Sequence, residues 1–163
     1  MTGARSPLPF LAALFGTAAL AGCSAFYGAE SLVGLGPTRV ALRELRIAVD
    51  ADANKSTACR VDLVALFSDN AAPMLPATSS EWFAQKRALE DGLGTAIAVQ
   101  SFELPPATLI EEADLPPDIE RARGLRAYVD LQSSGSRHFI DLTAKSSAVL
   151  HITARGAVLQ TEP

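Results

Sequence analysis

Leu125-Arg126-Ala127-Tyr128-Val129-Asp130-Leu131-Gln132 is the stretch that decides the fold class. Leu125, Ala127, Val129 and Leu131 fall on one side of an extended chain, and Arg126, Tyr128, Asp130 and Gln132 fall on the other. A repeat of two is the signature of a strand with one dry and one wet face. The alternation puts Tyr128 on the polar face, exposed to solvent, as a candidate interface residue. Ser133-Ser134-Gly135-Ser136 supplies turn chemistry into the next strand.

Working outward, the same alternation recurs over residues 40–50, 60–68, 96–104, 137–142, 147–154 and 157–161. Arg155-Gly156 provides the turn between the last two. Seven such segments between turn signals predict an all-β chain folded as an antiparallel β-sandwich with one short helix. The helix is expected over residues 78–89, the one region without alternation. Thr78 and Glu81 have the spacing of a capping box, and Trp82, Phe83 and Leu89 form an apolar side against Lys86 and Arg87. Gly92 and Gly94 are expected to end it. Leu104-Pro105-Pro106 and Leu115-Pro116-Pro117 mark loops, because proline lacks the donor a central strand needs.

The N-terminus carries a different message. Arg5 is the only charge before a neutral apolar run from Leu8 to Leu20, which is too short to span a hydrocarbon core of ~30 Å. The run closes on Leu20-Ala21-Gly22-Cys23, which resembles a bacterial lipobox: small residues for the peptidase, then a thiol to be acylated. Residues 1–22 are therefore expected to be a signal peptide and Cys23 the lipid-bearing first residue of the mature protein. Residues 23–37 read as a Gly-, Ala- and Ser-rich tether, and 38–163 as the sandwich domain. Ser24, rather than aspartate, after the cysteine points to the outer membrane, periplasmic face.

Removing residues 1–22 from the 163 leaves 141, enough for one domain with a sizeable core. Acidic residues number 18 against 14 basic ones, so no basic surface answers a phosphate backbone and nucleic acid is not an expected partner. With Cys23 acylated, Cys59 has no intrachain partner and reads as a small buried hydrophobe.

Taken together, the lipobox, the glycine-rich tether, strands on both sides of one Trp-Phe helix and a closing run of strands resemble the TssJ family, the small outer-membrane lipoproteins of type VI secretion systems. The matching segments are Val61-Asp62-Leu63-Val64-Ala65-Leu66-Phe67 before the helix, Leu104-Pro105-Pro106 after it, Ala127-Tyr128-Val129-Asp130, and the strand opened by Arg137. The sequence departs from the family where Pro105-Pro106 replaces Pro-Gly and where Leu66-Phe67-Ser68 replaces a Tyr-Gln-Leu strand ending. The resemblance implies a transthyretin-like β-sandwich without catalysis, which holds the periplasmic domain of an inner-membrane secretion component to the outer membrane. By position, the contact loop would be residues 51–58, with Asp52, Ala53, Asn54, Lys55 and Ser56 as partner-binding residues.

Sharper chemistries find less support. Ser136, His138 and Asp141 could be arranged as a nucleophilic triad, but no nucleophile elbow accompanies them. His138 and His151 lack further ligands at metal-site spacing, and Glu111, Glu112, Asp114, Asp118 and Glu120 lack the spacing of a calcium loop. No metal, and no cofactor beyond the lipid on Cys23, is expected. Trp82-Phe83 either anchors a partner or plugs the end of the sandwich, the second being the commoner use. The competing function is a free-standing periplasmic module for a small ligand or envelope polymer. Aromatics at 6% of the chain favour the anchor over it.

Overall fold

The computed structural model describes residues 39–132 and 138–160. The signal peptide, Cys23, the tether, the turn at 133–136, Ser136 and Arg137 lie outside the described residues.

Among the described residues there are eight strands and one α-helix: β1 (Glu44–Val49), β2 (Cys59–Leu66), α1 (Ser79–Leu93), β3 (Ile97–Leu104), β4 (Leu109–Ile110), β5 (Gly124–Asp130), β6 (Ile140–Asp141), β7 (Ser147–Thr153) and β8 (Gly156–Gln160). They form two four-stranded sheets, ordered β4-β1-β7-β8 and β3-β2-β5-β6. The main core lies between the sheets, where Leu45, Ile47, Val61, Leu63, Leu125, Ala127, Leu150 and Ile152 are all at 1% exposure or less. A second apolar cluster, Val64, Leu66, Ala71, Leu75, Trp82, Ile97 and Tyr128, sits on the other face of the β2 sheet beneath α1.

That second cluster explains the hydrophobicity of β2. Seven of its eight residues are buried, because one face meets the opposite sheet and the other meets the helix. It also corrects the reading of Tyr128. The side chain does alternate away from the central core, but α1 covers that face, so Tyr128 is fully buried. Its hydroxyl donates to the Pro76 carbonyl at 2.8 Å.

The expectation of a wholly antiparallel sandwich needs one amendment. β1 runs parallel to β7 along Glu44↔Ser147 to Val49↔Ile152, whereas the other strand pairs are antiparallel. Only short hairpin turns force neighbours to oppose, and β1 and β7 are joined through nearly the whole domain. The segment 40–43 precedes the strand and is tied by its amides to Ala122, Thr143 and Ser146 instead of to a ladder. β6 is likewise shorter than the expected 137–142, and β4 falls in a two-residue stretch that no alternation marks.

The helix begins where its capping box placed it. Thr78 Oγ1 accepts from the Glu81 amide at 3.3 Å and donates to Glu81 Oε2 at 2.7 Å. It runs past Gly92, however, and stops only at Gly94, whose φ of +48° is open to glycine at little cost.

Candidate interaction site at the end of the sandwich

The connection from β1 to β2 closes one end of the sandwich, and its backbone is unusual. Asn54, Lys55 and Ser56 have φ values of 49°, 59° and 57°, three consecutive non-glycine residues in the left-handed region. Left-handed geometry costs an L-residue about 1–2 kcal/mol, so such a run persists only when its surroundings hold it.

Asn54 is what holds it. It is 2% exposed, and its amide group donates to Thr57 Oγ1 at 3.0 Å and to the Ala58 carbonyl at 2.7 Å. Its side-chain oxygen accepts from the Gln132 amide beyond β5, while Thr57 Oγ1 donates to the Asn54 carbonyl at 2.7 Å. Every polar atom of the buried side chain is thereby used, as burial requires. Ala53 beside it is fully buried.

The five residues expected to bind a partner are therefore brought together but do not play one part. Asp52, Lys55 and Ser56 are exposed, whereas Ala53 and Asn54 face inward and fix the loop. The signal that separates them is the pairing of Asn54 with Gln132, 78 positions away, which no local spacing reveals. At the same end, Asp50 Oδ1 lies 2.8 Å from His151 Nε2, and Gln160 Nε2 is 3.3 Å from His151 Nδ1.

A second polar site, unread in the sequence, lies under α1. Asp62 is 1% exposed and receives Trp82 Nε1 at 2.8 Å and Lys86 Nζ at 2.9 Å. Lys86 also donates to Ser101 Oγ at 2.7 Å. A buried carboxylate is tolerated when it is paired and hydrogen-bonded, and here the helix supplies both partners. Trp82 and Lys86 are four residues apart, hence on one helix face. Trp82 thus serves packing, but on the outer face of the β2 sheet beneath α1 and not as a plug at the end of the sandwich. Phe83 turns toward β2, with the Arg60 guanidinium 4.8 Å from its ring centre.

The residues considered for catalysis and metal binding are dispersed. His138 and Asp141 are exposed, and His138 bridges Thr78. His151 belongs to the other sheet. Burial pushes the Cys59 thiol above its usual range, which keeps it protonated and unreactive. Among the described residues no helix is long and apolar enough to cross a membrane.

No protein-family model matches the chain, and no curated protein matches its sequence. Solved structures do match its fold. Serratia marcescens Lip, a membrane-bound component of the type VI secretion system, superposes with a TM-score of 0.56 at 15% identity, over 78% of this chain and 99% of Lip. The type VI lipoprotein TssJ1 from Pseudomonas aeruginosa gives 0.53 at 20% identity, over 78% and 98%. A chain in the structure of the type VI protein TssM C-terminal domain from EAEC gives 0.54 at 14% identity, over 73% and 97%. The sandwich is thus the fold of these type VI proteins.

Proposed function

We propose that this chain is a non-catalytic, lipid-anchored component of a type VI-like secretion membrane complex. It is held at the outer membrane through Cys23 and docks the periplasmic domain of an inner-membrane component on the loop of Asp52, Lys55 and Ser56. The observation that carries the reading is the left-handed turn pinned by buried Asn54, because stored backbone strain clusters where a surface must be presented in one fixed shape. A rigid loop saves the ordering entropy that a floppy one loses on binding. The lipobox supports the anchor, and the shared fold with two type VI membrane proteins supports the setting.

The test keeps the scaffold and removes only the outward groups. Replacing the whole segment with Gly and Ser would also remove Asn54 and confound folding with binding. In the triple variant Asp52→Ala, Lys55→Ala, Ser56→Ala, melting and membrane association should match the parent while co-purification of the inner-membrane component is lost. Retention of parental capture would refute the loop assignment. Mass spectrometry of the membrane-extracted chain should find residues 1–22 absent and Cys23 carrying a thioether-linked lipid, and an intact Met1 would refute the anchor.

A further inference from the structure

We propose that β8 pairs antiparallel with β8 of a second copy of this chain, about a two-fold axis at Val158. Sheet edges invite pairing unless they are guarded by brevity, charge or proline. Three of the four edges here are guarded. β4 and β6 have two residues each, and β3 carries Glu103 and runs into Pro105-Pro106. β8, Gly156-Ala157-Val158-Leu159-Gln160, has five residues with neither charge nor proline.

The register of β8 on β7 determines what its edge offers. The two-residue turn at Ala154 and Arg155 makes Thr153 and Gly156 a bonded pair, so Gly156, Val158 and Gln160 spend their backbone groups on β7. Ala157 and Leu159 turn theirs outward, and among the described residues those groups have no partner. Two such residues separated by one form a self-complementary edge. With the axis at Val158, Ala157 lies opposite Leu159 of the second copy, and the converse, for four backbone hydrogen bonds. Val158, 49% exposed and one of three large apolar side chains that stand out among the described residues, then meets its own symmetry mate. β8 itself carries no charge, so two copies of net charge −4 can approach along it without setting like charges of the strand opposite each other.

Pairing of one five-residue strand buries far less than the ~1,000 Å² typical of a stable soluble dimer. The contact is therefore a weak, concentration-dependent one that a disulfide can trap without a stable dimer; crowding on one membrane would favour it, and only this last clause rests on the anchor reading.

The symmetric site at Val158 is a non-hydrogen-bonded pair with Cα atoms ~4.5 Å apart, close enough for a disulfide. In the full chain carrying Cys23→Ser, purified in detergent and concentrated, Val158→Cys should oxidise to a dimer about tenfold faster than Gln160→Cys, which in this register faces Gly156 instead of itself. Adding Ala157→Pro, which removes an outward donor and no β7 bond, should reduce Val158→Cys to the control rate without lowering the melting temperature. Should that proline unfold the domain, Leu159→Pro, which removes the other outward donor, serves as the second variant. Equal rates for the two cysteines, or cross-linking in cells only to a chain of different mass, would overturn the proposal. Because the purified chain lacks the lipidated cysteine, failure here is distinguishable from failure of the anchor.

Discussion

Trp82 lies flat against Tyr128, with ring centres 4.9 Å apart and planes 13° from parallel. One ring comes from the helix and the other from the central part of the β2 sheet, so this stack is the joint between α1 and the sandwich. Trp82→Ala should cost about 3–5 kcal/mol, the range for deleting a large buried aromatic. Because Trp82 is the only tryptophan, the measurement is urea unfolding followed by circular dichroism. An unchanged midpoint would show that the helix is peripheral.

The joint is also sensitive to alkali. Burial holds the Tyr128 phenol above its ordinary value of 10, against the smaller opposing effect of Arg126. The unfolded chain then releases this proton at lower pH than the folded one. Between the two values the unfolded state binds fewer protons, so stability falls as pH rises. Tyr128→Phe, lacking the bond to Pro76, should be about 1 kcal/mol less stable at neutral pH. That gap should narrow above pH 10 as the parent loses stability. A gap constant with pH would contradict the assignment.

Beneath the helix, Lys86→Met leaves the Asp62 carboxylate with Trp82 alone. Breaking a buried pair from one side costs about 3–5 kcal/mol, and with the Lys86 side chain 26% exposed the lower end is expected. Asp62→Leu combined with Lys86→Met should be less damaging than Lys86→Met by itself. Additive losses in a double-mutant cycle would show that the two groups are not coupled.

At the loop, stability and binding should part company. Lys55→Gly relieves a left-handed residue and should raise stability by up to ~1 kcal/mol, yet lower partner capture by removing the exposed ammonium. Asn54→Ala should do the reverse to stability, costing about 1–3 kcal/mol for the polar groups it leaves unsatisfied. Parallel melting curves and pull-downs of the two variants give the comparison.

Cys59 is 1% exposed and held protonated by burial. It should resist thiol reagents in the folded domain at neutral pH and react only on unfolding, so that its labelling rate under mild denaturant tracks global opening. Rapid labelling of the native protein would place it on a moving segment instead.

Much of this domain is written locally. The two-residue alternation of 125–132 places a strand, Thr78 and Glu81 start a helix, and Leu104 ends β3 before two prolines, because these features depend on neighbours a few bonds away. Leu20-Ala21-Gly22-Cys23 is a signal of the same local kind for the lipid reading. Long-range packing decided the rest. Alternation tells which residues share a side of a strand but not what covers that side, so Tyr128 looked wet until α1 was laid over it. Strand pattern is equally silent on direction, so β1 could run parallel to β7. Asn54 reads as a polar loop residue, yet Gln132 and Ala58 turn it into the buried pin that holds Lys55 and Ser56 outward. Only the folded sheets create that burial, and only burial makes its hydrogen bonds obligatory.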